Sequence, residues 1–258
     1  SSKIHKVNSE PLSPMSLKKI VVVSLMFFSA VTQAQVWWDF GIRGGVSSGF
    51  LINSEILDNS QYPHQWTFGN FFTGRIGTNF GDHSIISVEY GRTNTSQKWY
   101  FGGNGNSFYR TLNWSTNDLY VLYRHIGESG SFFEIGPKFS TVASATQSLS
   151  GNIPQSAFTE ENVLNMYSEK YTSAVFGFGS YIAGTENLSF ILSFRIEYGI
   201  QDLFSDNANN INFPIEFDGE ASNASSHPLL LQVGLEISYD IGYLVSPRCA
   251  DRYKFVTF

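Results

Sequence analysis

The chain has 258 residues, a net charge of −6, one cysteine, 23 glycines and 16% aromatic residues. A single thiol forms neither an intrachain disulfide nor a thiolate metal site, and an acidic chain is a poor match for nucleic acid. Beyond about residue 35 no apolar run approaches the ~20 residues of a membrane-spanning helix, so a membrane role would have to use strands.

The chain order begins with two segments unlike the rest. Residues 1–14 read as an upstream extension outside the mature protein. Met15 opens a second pattern, with Lys18 and Lys19, an apolar run from Ile20 to Phe28, and the small residues Thr32 and Ala34. This is the layout of a signal peptide over residues 15–34, its apolar part about half the length of a membrane anchor. The two segments carry Lys3, Lys6, Lys18 and Lys19 against Glu10, so their loss shifts the net charge from −6 to −9.

From Trp37 onward, eight stretches alternate apolar and polar residues. The first sets Trp38, Phe40, Ile42, Gly44 and Val46 against Asp39, Gly41, Arg43, Gly45 and Ser47. A strand has a period of two, so the two sets lie on opposite faces. The second, Trp66 to Phe80, sets Phe68, Phe72, Ile76 and Phe80 against Thr67, Thr73, Arg75 and Asn79, and ends in the turn Gly81-Asp82-His83. The third, about Ser84 to Thr93, sets Ile86, Val88 and Tyr90 against Ser87 and Glu89. In the fourth, Phe108 to His125, the apolar parity changes between Trp114 and Leu119, which predicts a bulge near Ser115 to Asp118. The fifth is Ser131 to Ala143 and the sixth Tyr171 to Ile182. The seventh points Leu188 to Tyr198 outward at even positions, with Arg195 and Glu197 inward. The eighth points Leu229 to Tyr243 outward at odd positions, with Glu236 inward.

The connections 81–83, 126–130 and 183–187 are short; 51–65, 94–107, 144–170 and 201–228 are long. That alternation, with large apolar residues outside, predicts an all-β, eight-stranded antiparallel transmembrane β-barrel over residues 35–244, with a short periplasmic tail over 245–258. A soluble up-and-down barrel would keep its outer face polar. Short turns belong to the periplasm, and an even strand count places both termini there, in the outer membrane of a Gram-negative-type bacterium.

Three segments resemble a known family. Phe132-Phe133-Glu134-Ile135-Gly136-Pro137-Lys138-Phe139, Tyr171 to Tyr181 with Phe176-Gly177-Phe178-Gly179, and Leu188 to Leu203 are similar to the PorT-like outer membrane protein beta-barrel family, barrels shaped like OmpA and OmpX. The resemblance implies a cell-envelope role, with a partner in a secretion or envelope-assembly system.

The candidate site is the lumen. Arg43, Arg75, Lys138 and Arg195 face it with Glu89, Glu134, Glu197 and Glu236. Arg75 and Glu89 lie equally far from the turn at Asp82 and should pair, and Arg43 and Glu236 sit at similar depth on the first and last strands. Eight strands leave just enough room for side chains, so these charges are expected to plug the barrel. His64 and His227 fall in long loops without serine spacing that would require catalysis. Asp202, Asp206, Glu216, Asp218 and Glu220 form an acidic loop with no calcium-loop spacing, as do Glu160, Glu161 and Glu169. No catalytic residue, cofactor or metal is assigned. The expected function is a non-enzymatic barrel contacting lipid and an envelope partner; the rivals are a lipid A-modifying enzyme and a small-solute channel. Pro247 should end the last strand, which places the assembly signal in Leu235 to Tyr243 and leaves the tail, with Cys249, as a separate contact segment.

Overall fold

A computed structural model of the chain describes residues 36–53, 63–103, 106–185, 187–215 and 225–241. The readings on residues 1–35, on Glu216, Asp218 and Glu220, and on the tail with Cys249 lie outside them.

The architecture is an eight-stranded antiparallel barrel. Its walls are β1 (Val36–Ile52), β3 (Gly69–Phe80), β4 (Ser84–Gly103), β5 (Asn106–Ile126), β6 (Ser131–Gly151), β7 (Lys170–Gly184), β8 (Leu188–Gly199) and β9 (His227–Ile241), with a two-residue strand β2 (His64–Gln65) added to β4. The order β4-β3-β1-β9-β8-β7-β6-β5 closes through the β4–β5 pairing. The seam between first and last strands is continuous from Trp38↔Ile241 to Ile52↔His227.

Alternation explains the barrel's inversion. Along β1, Trp38, Phe40, Ile42 and Val46 are exposed, while Asp39, Arg43 and Ser47 are buried. The same holds around the wall: Phe72 and Ile76, Val88 and Tyr90, Leu119 and Val121, Phe176 and Phe178, Phe194 and Ile196, and Val233 to Ile241 at odd positions all face outward and stay exposed. On β9 the apolar run from Leu231 to Ile241 covers roughly ten residues, about 34 Å of strand and about 26 Å of height at a usual tilt. That matches the apolar band of a membrane barrel. Tyr90 and Tyr198 mark one rim of this belt, and Trp38, Tyr123 and Tyr239 the other.

Two expectations about strand extent need correcting. Residues 94–103 and 106–107 are strand rather than loop. β4 and β5 pair without interruption from Ser84↔His125 to Gly103↔Asn106, so they rise well past the belt. β6 likewise runs on to Gly151. The bulge also lies elsewhere. In β5 every even residue from Leu112 to Arg124 is buried, so this strand keeps its phase. The extra residue is Ala143 in β6, skipped between the pairs Ser115↔Ser144 and Thr116↔Val142. The apolar parity of β5 changes because its surroundings change. Below, the outer face meets the belt; above, Leu112 and Trp114 face inward onto an apolar cap.

That cap comes from the two longest described connections, 152–169 and 200–215, which carry a 3-10 turn (Leu164–Met166) and a short helix α1 (Asp206–Asn210). They fold into the barrel mouth, burying Val163, Met166, Tyr167, Leu203, Phe204, Ala208 and Phe213 against Leu51, Trp99, Phe101, Phe108 and Trp114. The Ser168 amide donates to the Leu203 carbonyl and the Ser205 amide to that of Met166, each at 2.9 Å. Asp202 is not simply solvated: its Oδ1 accepts the amides of Phe204 and Ser226, fixing the turn.

Candidate functional site: the charged lumen

Inward-facing charges need partners, because a charge removed from water without one costs several kcal/mol. At mid-barrel the partners form a ring. Arg75 Nη1 reaches Glu236 at 2.8 Å. Glu236 also accepts Arg124 Nη2 at 2.8 Å, and Arg124 binds Glu134 at 3.0 Å. Glu134 binds Arg195, whose two terminal nitrogens grip Glu89 at 2.7 Å each. Glu89 closes the circle with Arg75 Nε at 3.8 Å. Three arginines alternate with three glutamates, all buried, and Asp39 hangs from Arg75 at 3.0 Å.

A second cluster lies nearer the capped end. Lys138 Nζ is 2.7 Å from Glu197 and 3.3 Å from Asp118. Tyr120 donates to Glu197 at 3.1 Å, while Thr93 and Ser140 donate to Asp118 at 2.6 and 2.7 Å. Aromatic faces cover the cations: Arg124 lies over Phe132 at 4.2 Å, Arg195 over Tyr120 at 5.3 Å and Arg43 over Phe71 at 4.4 Å.

The structure therefore distributes the eight lumenal residues read from the sequence over three settings. Arg75, Glu89, Glu134, Arg195 and Glu236 are in the ring, and Lys138 and Glu197 in the second cluster. Arg43 is in neither. It stands opposite Glu236 in backbone register, yet the Glu236 carboxylate turns to Arg75 and Arg124. Arg43 donates instead to Ser193 at 2.9 Å and Gln232 at 3.0 Å. Arg75 and Glu89 are direct cross-strand neighbours, but the short contacts of Glu89 go to Arg195. Sequence reasoning missed Arg124 and Asp118. Both share the inward parity of Tyr120 and Leu122; Asp118 fell inside the expected bulge, while Arg124 was already legible from the alternation of Leu119, Val121 and Tyr123.

Apolar clusters flank these charges on either side. Ile85, Ile126, Phe132 and Ile191, with Tyr181, fill the end at the short turns; the loop cap fills the other. His64 and His227 make other contacts. His64 lies 4.4 Å from the Phe50 ring and 3.4 Å from Gln97 Nε2, and partial burial holds its imidazole below the usual range. His227 stacks on Tyr198 and contacts the Gly199 carbonyl at 3.0 Å. Among the described residues, no group of three or more His, Cys, Asp or Glu could hold a metal ion.

No protein-family model and no curated protein matches the sequence. Among the solved structures similar to it are three membrane-associated bacterial proteins. The outer membrane protein OprG from Pseudomonas aeruginosa is 12% identical, over 80% of this chain and 98% of that one, with a TM-score of 0.34. The attachment invasion locus protein Ail of Yersinia pestis is 7% identical, over 78% and 98%, with a TM-score of 0.35. The outer membrane protease OmpT from Escherichia coli is 9% identical, over 80% and 96%, with a TM-score of 0.34. At such values no activity, ligand or partner passes from any of them to this chain.

Proposed function

We propose that this is a non-enzymatic outer-membrane barrel of a Gram-negative-type bacterium, exported by the signal at residues 15–34. Both termini lie at the periplasmic side in this reading, and the barrel works through what it presents beyond the lipid. The filled lumen carries this reading: among the described residues a ring of paired charges lies between two apolar clusters, so bonded side chains occupy the interior where a channel would keep water. The folded cap and the raised β4–β5–β6 wall are the surfaces a partner would meet, and structured projections of this kind usually carry recognition. The PorT-like segments point to a partner in a secretion or envelope-assembly system.

The test combines three measurements. Planar-bilayer recording of the purified barrel should give no steady conductance, and a stable stepwise current would replace this reading with a small-solute channel. Cross-linking from the exposed cap positions Asn165 and Asn210 in intact cells should yield one discrete envelope-protein adduct. Mass spectrometry of lipid A with and without the gene should be unchanged; altered acylation would establish the enzyme instead.

A further inference from the structure

The outer wall changes chemistry abruptly above the belt. Tyr90, Leu119 and Phe139 form the last apolar row across β4, β5 and β6. The next rows are Arg92–Asn117–Thr141, Asn94–Ser115–Ser144, Ser96–Asn113–Thr146 and Lys98–Thr111–Ser148. They hold amides, hydroxyls and two cations, and not one carboxylate.

An open groove of about 280 Å³ lies in this face, lined among others by Phe68, Asn70, Asn94, Ser96, Asn113 and Ser144. Its polar groups are already aligned. Asn94 Nδ2 donates to Asn70 Oδ1 at 2.7 Å, and Arg92 Nη2 donates to Ser115 Oγ at 2.9 Å, which lies 2.7 Å from Ser144 Oγ. A guanidinium has five N–H donors, and Arg92 meets no carboxylate among the described residues. Lys98 is also free of one, resting 4.5 Å from the Tyr109 ring. Phe68, 73% exposed, flanks the groove with an open aromatic face.

We propose that this groove binds the phosphorylated saccharide headgroup of an outer-leaflet glycolipid, whose acyl chains lie on Phe72, Tyr90 and Leu119 below. The proposal rests on the outer-membrane reading above. Amides and hydroxyls both donate and accept, which suits sugar hydroxyls; a guanidinium matches phosphate oxygens in pairs. A face without carboxylates does not repel an anion, and an exposed aromatic ring suits the apolar face of a sugar. The site begins one row above the lipid rim, where such a headgroup sits when its chains are in the belt.

The full-length barrel is inserted into nanodiscs of phosphatidylethanolamine and phosphatidylglycerol, with or without lipopolysaccharide bearing lipid A and inner-core sugars, and retained lipid is measured by native mass spectrometry. Wild type should retain lipopolysaccharide over phosphatidylglycerol. Arg92→Gln with Asn94→Ala should weaken retention about tenfold, the scale of one charge-assisted hydrogen bond, and Gln201→Ala, exposed just past the end of β8, should not. Asn113→Trp, which fills the groove and leaves Arg92 in place, should give the same loss. Retention unaffected by both groove variants overturns the proposal, as does equal competition by the free core oligosaccharide. A barrel that inserts without preferring lipopolysaccharide overturns it while leaving the membrane reading intact; one that does not insert overturns both.

Discussion

Glu134 and Arg195 form an ion pair across a strand that lies between them. Their strands, β6 and β8, both neighbour β7, and the register runs Glu134↔Gly177↔Arg195. A Cβ at position 177 would stand 2.6 Å from the Glu134 carboxylate oxygen and 3.1 Å from Arg195 Cγ. Glycine there is room for the ion pair. The strands β6, β7 and β8 thus meet at one point of the ring.

Gly177→Val should therefore act as a ring mutation. The side chain separates Glu134 from Arg195 and leaves a buried charge short of a partner, a change worth about 3–5 kcal/mol. Urea unfolding of the detergent-refolded barrel would show it, and a loss below about 1 kcal/mol would mean the lumen relaxes around the new side chain.

Glu89 offers a finer test. Double-mutant cycles should give strong coupling between Glu89 and Arg195, joined by two short bonds, and weaker coupling between Glu89 and its strand neighbour Arg75 at 3.8 Å. Arg43→Met should cost less than Arg124→Met, because among the described residues Arg43 has no carboxylate partner to strand.

The cap should loosen independently of the barrel. Leu203 is fully buried among the cap residues, so Leu203→Ala should cost about 2–5 kcal/mol locally. Limited proteolysis should then cut within 152–169 or 200–215, while heat-modifiable migration on a gel persists. Loss of both together would show that cap and barrel fold as one unit.

Docking of β2 should depend on pH. The ordinary imidazole value is 6.5, and burial holds His64 lower in the folded chain. As pH falls the undocked form takes up its proton first, so docking is at full strength above 6.5 and weakens as pH drops through the folded value. Hydrogen exchange at Tyr100, whose amide donates to the Pro63 carbonyl just before β2, should show more opening at pH 5 than at pH 7.5 after correction for intrinsic rates. His64→Phe should abolish that difference.

Where lipid and lumen lie on opposite faces, the sequence is readable. β8 and β9 alternate without a break, and the short turns fall between the strands as the pattern requires. Above the belt the rule inverts. Asn94, Ser96 and Lys98 face outward, and Thr95, Gln97, Trp99 and Phe101 face inward. An eye set for apolar-outward alternation therefore takes this strand for a loop. The ring partners were also beyond pattern reading. Register gives which Cα atoms are adjacent, but arginine and glutamate are long enough to reach past a neighbour, as Arg195 does to Glu89 on the opposite wall.

The ring also bears on how the barrel comes together. Arg75 and Arg124 belong to the first half of the chain, and the carboxylate they share, Glu236, belongs to the last described strand. Until β9 docks beside β1, both arginines lack this partner and must stay hydrated. Closing the backbone seam and balancing the interior charge are the same event. A chain that closed one strand short, or one residue out of step, would seal an unmatched arginine into the wall, so the arithmetic of its own charges tells a finished barrel from an unfinished one.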